Sequence, residues 1–251
     1  MTMRKAASAQ KVDPRIPLIR REDIRRRKEL CTGYLTITEA LWNSAEFRAL
    51  HFTAAVRLID LMCFHSGRNN GSIFCSSRMS KDRLQLRYET IKKADEALVK
   101  ARFLTFTGTI ARPYEAHKIY TPTYRINCLL LPDKNGHYYD SGEWRTDGLK
   151  TPMGENPLTI PIAFFFSDAW LSLSCGAKMA LLITLRAAKG CVWSYFKVPM
   201  ETIMERCDCS MRTAQRYMKE LCKKHLIAPF GKTKDRLWLL NASANMIVES
   251  W

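Results

Sequence analysis

Four cations, Arg212, Arg216, Lys219 and Lys223, recur at spacings of four, three and four near the C-terminal end of the chain. On an α-helix that spacing stacks them along one side, where a row of charged donors suits the phosphates of a polyanion. The other residue types that suggest chemistry do not assemble into a working set. Cys63, His65 and Cys75, or Cys207 and Cys209, are of metal-ligand type. Neither set has the C-x2-C spacing that presents two thiolates to one tetrahedral zinc ion, so they read as free thiols. No P-loop, G-x-S-x-G or H-E-x-x-H pattern occurs. The expectation is a binding protein rather than an enzyme, with no metal and no cofactor.

The element that must position the four cations lies within Cys207 to Ile227. Ser210 is placed to accept from the free amides of a first helical turn, and Ala214, Met218 and Leu221 form the opposite, core-facing stripe. After Leu226 and Ile227 come Pro229-Phe230-Gly231 and then Leu237-Trp238-Leu239-Leu240, a hairpin pattern with Lys232, Lys234 and Arg236 at its tip. Helix, tight turn, basic helix and hairpin is the order of a winged helix-turn-helix, here over roughly the last 75 residues. In that reading Ser210, Arg212, Thr213, Gln215, Arg216, Lys219, Lys223, Lys232, Lys234 and Arg236 are candidate contacts to double-stranded DNA. The alternative is an amphipathic helix whose charge run is merely solvated.

The same order occurs earlier in the chain. A helix with Val56, Ile59 and Met62 on one side precedes a polar loop, a helical stretch from Arg78 to Leu84, and a second helix from about Tyr88 to Lys100 with Ile91, Ala94 and Leu98 as its apolar face. Phe103 to Phe106 and Ile119 to Leu131 are rich in β-branched and aromatic residues and predict a hairpin. Displacing the chain against itself by 123 positions aligns 35–108 with 158–231 without a gap and gives 14 identities, among them Leu35/Leu158, Ile37/Ile160, Ser44/Ser167, Arg83/Arg206, Thr90/Thr213 and Leu98/Leu221. Random pairing would give roughly four or five, so an internal duplication is expected. At the positions of the four cations the first copy has Glu89, Lys93, Glu96 and Lys100, and Arg87 stands where Ser210 caps the second. Arg87, Tyr88, Thr90, Lys92, Lys93, Arg112 and Lys118 are its candidate DNA contacts. A carboxylate repels phosphates but can accept from a cytosine amino group, so the first copy either reads a different sequence or serves in assembly.

Charge follows this division. Lys and Arg outnumber Asp and Glu by 40 to 24, and residues 1–30 alone hold ten cations and four acids, predicting a basic flexible arm. Residues 132–157, rich in Gly, Pro, Asp and Asn, read as a linker with net charge −2. The expected organisation is a basic arm (1–30), winged-helix domain 1 (31–131), a linker (132–157) and winged-helix domain 2 (158–251). The fold class is mainly α with small β-hairpin wings (α+β). Taken as a free tether, the linker has a mean reach on the order of 25–31 Å. No run reaches the roughly 20 apolar residues of a membrane span, no signal peptide is evident, and scattered cysteines, odd in number, suggest free thiols in a cytoplasm.

A duplicated winged helix with a basic arm resembles the tandem winged-helix replication initiators of bacterial plasmids and related phage replication proteins. The stretch TAAVRLIDLM, followed by NNGSI, a helix with Thr90 near its start, and ARFLTF, is similar to winged-helix proteins of bacterial mobile elements more generally, transcription regulators among them. The resemblance implies a nucleoid-associated protein that binds repeated origin sequences with both modules on one DNA face, melts nearby DNA and recruits host replication proteins. A homodimer partner is also open, as are two other roles: a transcription regulator of a mobile element, or an adaptor whose winged helices bind proteins.

Overall fold

The computed structural model describes residues 33–65, 70–73, 75, 77–114, 117–128, 130–132, 138–140, 157–189, 195–197, 200–230 and 237–240. A short strand β1 (Tyr34–Ile37) leads into α1 (Glu39–Asn43) and α2 (Ala45–Ala49). These one-turn helices are held by side-chain caps, since Thr38 Oγ1 accepts from Leu41 N at 3.0 Å and Ser44 Oγ from Phe47 N at 3.1 Å. Then follow α3 (Phe52–Met62), α4 (Ser77–Leu84), α5 (Tyr88–Lys100) and a long hairpin, β2 (Leu104–Tyr114) with β3 (His117–Ile126). A second small hairpin pairs β4 (Leu130–Pro132) with β5 (Tyr138–Asp140), so part of the expected linker is strand.

The second half runs β6 (Leu158–Pro161), a 3-10 turn (Ile162–Phe166), α6 (Asp168–Leu171), α7 (Cys175–Ala188), β7 (Tyr195–Phe196), α8 (Met200–Cys207), α9 (Met211–Lys223), β8 (Ile227–Phe230) and β9 (Leu237–Leu240). Its last three strands form a sheet in the order β7-β9-β8. The architecture is therefore mixed helix and strand, with small antiparallel hairpins. The starts of α3, α4, α5 and β2 are each 123 residues before those of α7, α8, α9 and β8. The ends of α4 and α8, and of α5 and α9, keep the same interval, whereas α7 runs three residues further than α3. After α4, α8, α5 and α9 the chain turns through a non-glycine residue with positive φ, namely Gln85 (56°), Asp208 (45°), Arg102 (62°) and His225 (56°). Each end closes with a six-to-one bond: Leu86 N to Lys81 O, Cys209 N to Met204 O, Phe103 N to Leu98 O and Leu226 N to Leu221 O, at 3.0–3.3 Å.

The two halves share one apolar core. β1 pairs antiparallel with β6, Leu35 opposite Ile160, Thr36 opposite Thr159 and Ile37 opposite Leu158, so two Leu-Thr-Ile segments form a ladder that maps onto itself when they are exchanged. α3 and α7 pack on one another, and every residue of α3 from Thr53 to Met62 is buried. The amphipathic face expected from Val56, Ile59 and Met62 is thus only one side of a helix enclosed all round.

Enclosure brings charges inside, where an unpaired one is costly. Arg57 Nε donates to Asp95 Oδ1 at 2.8 Å and its Nη1 to Ser80 Oγ at 2.5 Å, while Arg83 Nε donates to Asp60 Oδ1 at 2.7 Å. Asp60 Oδ2 also lies 3.5 Å from Arg57 Nη1, so two guanidinium and two carboxylate groups balance. Their opposite charges hold the arginines in the charged form against desolvation. Arg83 then reaches across to the second half, with Nη2 3.5 Å from Phe165 O and its guanidinium over the Phe166 ring. Arg206, 123 positions on, reaches the opposite way and stacks over Trp42 and Phe47 at 5.3 and 5.2 Å. Arg48–Glu205 and Arg186–Glu39 ion pairs, at 2.8 and 3.1 Å, flank this contact.

Candidate nucleic-acid interface

Helix α9 is set on the core by its apolar stripe, with Ala214, Tyr217, Met218 and Leu221 buried. Ser210 caps it, accepting from Thr213 N at 3.4 Å, and its hydroxyl also bonds Thr213 Oγ1 at 3.2 Å. Thr213 is thereby partly engaged in the cap. The helix's one acid, Glu220, turns inward to α7: its carboxylate accepts from Ser174 N at 2.6 Å and Ser174 Oγ at 2.7 Å, at the start of that helix. Beside it, Gly176 lets the Tyr217 ring lie directly on the α7 backbone.

What remains outward is basic. Arg212, Gln215, Arg216, Lys219 and Lys223 are all exposed. At 100° per residue the four cations fall within about 60° of arc, with Leu221 and Met218 on the far side. Arg216 also lies over its neighbour Tyr217, 5.9 Å from the ring centroid. None of the four forms an ion pair among the described residues. The four cations thus stand in a row on one side of a helix whose other side is buried and apolar, an arrangement suited to several phosphate oxygens of a polyanion.

Helix α5 occupies the equivalent place in the first half and presents a different surface. Its core face is Ile91, Ala94 and Leu98 as expected, joined by Asp95, which is bound to Arg57. Arg87 stands at the N-cap without a side-chain cap bond, and Glu89 in the first turn sets its negative charge against the helix dipole instead. Lys92 and Glu96 are 3.9 Å apart and both exposed, a pairing worth little in water. Tyr88, Glu89, Lys93 and Lys100 are exposed and Thr90 half-buried. Three cations and three acids leave α5 without net charge, against +3 for α9.

The β2–β3 hairpin bulges at Phe106/Gly108, where Gly108 has φ of +148°, a conformation that side chains disfavour. Arg112 and Lys118 belong to this hairpin, opposite Ile119 and Pro113, but their side chains lie outside the described residues, as do Lys232, Lys234 and Arg236. The basic arm, 1–30, also lies outside them.

The residues that the sequence did not bring forward are Arg57, Asp60, Arg83 and Asp95. Arg83 was visible only as one of the 14 identities. Cysteines Cys63, Cys75, Cys175, Cys207, Cys209 and Cys222 are free thiols. Burial pushes the Cys175 and Cys207 thiols up to about 12, away from reactivity. Among the described residues no three His, Cys, Asp or Glu side chains gather as metal ligands, and no helix is long and apolar enough to cross a membrane. No protein-family model, no curated protein and no solved structure matches the chain.

Proposed function

We propose that the chain binds double-stranded DNA in a sequence-specific manner, through two winged helix-turn-helix modules produced by internal duplication. α9 is the principal recognition helix. The observation that carries this reading is the free cation row of α9, opposite its buried face and preceded by α8 and a tight turn. The constant 123-residue interval between helix starts supports the duplication. The reciprocal Arg83 and Arg206 contacts support two modules acting as one body. The resemblance to plasmid and phage initiators makes replication initiation at origin repeats the role we favour, and regulation of transcription uses the same contacts.

A second reading concerns the first half alone. The mixed surface of α5, where Glu89 and Glu96 stand among Lys92, Lys93 and Lys100, favours a role in assembly or partner contact for that module, with α9 carrying the DNA. One titration series separates these. DNA selected from a random duplex library by the intact chain is titrated against salt with wild type and with Arg212, Arg216, Lys219 and Lys223 all changed to Ala. Each lost phosphate contact lowers the salt slope by about 0.9, so the variant slope falls by up to about 3.6. An unchanged affinity and slope would remove α9 from the interface. Footprints confined to one half-site, unaffected by Lys93→Ala, would assign α5 to assembly.

A further inference from the structure

Large apolar side chains exposed to water include Tyr88, 56% exposed, and Met211, 38% exposed. They are the first residues of α5 and α9 and lie 123 positions apart. Neither position asks for an apolar residue on structural grounds. Neither side chain is enclosed by the core, and the neighbouring positions carry opposite charges, Glu89 and Arg212. Apolar character at the tip is what the two helices share at this end, together with Thr90 and Thr213. Other exposed apolar residues lack this match: Val99 and Phe106 have Cys222 and Pro229 at their counterparts.

In helix-turn-helix proteins the N-terminal residues of the second helix reach the base edges, and the one apolar group on the major-groove edge of DNA is the C5-methyl of thymine. Resting on the DNA-binding reading above, we propose that Tyr88 and Met211 are specificity residues, each seated against a thymine methyl in its own half-site. Met211 is unbranched and polarizable and moulds to a methyl group, while Tyr88 offers a flat ring face. The two contacts give both half-sites a common thymine, even though Glu89 and Arg212 make the rest of the two tips differ.

The test uses the full chain and duplexes selected from a random library. Each thymine of the selected site is replaced singly by deoxyuridine, which removes only the methyl group. The expected result is one sensitive position in each half-site, with affinity falling roughly fourfold, the effect of burying one methyl-sized group. Met211→Ala abolishes the sensitivity in one half-site and Tyr88→Ala in the other, each leaving the opposite position sensitive. A site that tolerates deoxyuridine everywhere, that lacks thymine in one half, or whose sensitivity survives in both variants overturns the proposal while leaving DNA binding intact. Failure to enrich any duplex overturns the DNA-binding reading itself and this inference with it.

Discussion

Gly176→Ala tests how α9 is held. Gly176 is the second residue of α7, and a methyl carbon built there falls well inside contact distance of the Tyr217 ring, with Cε1 only 2.5 Å away. Ordinary van der Waals contact begins near 3.4 Å, so the ring must retreat by about 1 Å or more. Tyr217 is buried against the core on α9 and its helix is fixed within one turn by Glu220 on Ser174, which leaves the ring little room. Two effects oppose one another. Ala is the better helix former by up to about 1 kcal/mol, less in a first turn, whereas overpacking costs about 1–3 kcal/mol. The clash wins, and a net loss of about 1–2 kcal/mol is expected, read as a lower urea midpoint with an unchanged slope. Tyr217→Ala in the same chain relieves the clash, so the double variant is more stable than the sum of the two single losses. At the equivalent positions of the first half stand Thr53 and Ala94, the larger residue now on the other helix. A Gly176→Ala protein more stable than wild type, with additive behaviour alongside Tyr217→Ala, would refute the packing argument.

Asp60→Asn leaves Arg57 and Arg83 short of a buried counter-charge and should cost about 3–5 kcal/mol in a urea melt. Lys178 is buried, donates to Leu173 O, and is pushed down from 10.5 to about 8 by desolvation. Below pH 8 both folded and unfolded chains carry the ammonium and its burial cost is fully felt. Above pH 8 the folded chain gives up the proton first, so this residue makes stability rise with pH until the unfolded chain follows near 10.5. The stability difference between Lys178→Met and wild type should therefore shift by about 1 kcal/mol in favour of wild type between pH 7 and pH 9, and a flat difference would contradict the assignment. Residues 31–131 and 158–251 produced separately should each lack a cooperative urea transition and regain one on mixing, because each alone loses the β1–β6 ladder and the α3–α7 contact. Two independent transitions in the separate halves would show that neither needs the other.

The local features were legible because their causes are local. Helix α5 begins and ends at Tyr88 and Lys100 as its 3.6-residue pattern indicates, and Ser210 caps α9 through the bond its type predicts. The start of α5 needed no side-chain cap at Arg87, which the sequence made uncertain, since Glu89 supplies charge to the same turn. What stayed hidden depends on partners far along the chain. Arg57 and Asp60 sit in a helix that reads as amphipathic, and only Asp95, 38 residues away, and Arg83, 23 residues away, make their burial tolerable. Likewise β1 and β6 are short and ambiguous alone, and become strands by pairing with each other over more than 120 residues. The β2–β3 hairpin extends well beyond the two apolar runs that predicted it, through Gly108 and Pro113, residues that ordinarily argue against a strand.

The packing between halves changes what the linker can contribute to the proposed DNA binding. A free tether with a reach on the order of 25–31 Å would make the second module's engagement a matter of effective concentration. Here the ladder of β1 with β6, the buried faces of α3 and α7, and the crossed arginines already fix one half against the other. The placement of α5 relative to α9 is thus set in folding, so under the proposed function the entropy of ordering the second module is spent before any DNA is met. In the proposed complex this arrangement gains when the spacing of the half-sites matches and loses the second contact when it does not, because neither helix can swing to compensate. Under the proposed function, that rigidity lets α5 carry Glu89 and Glu96 and still contribute to the interface. Its position is set by the core, so under the proposed function its exposed side is free to exchange phosphate affinity for discrimination.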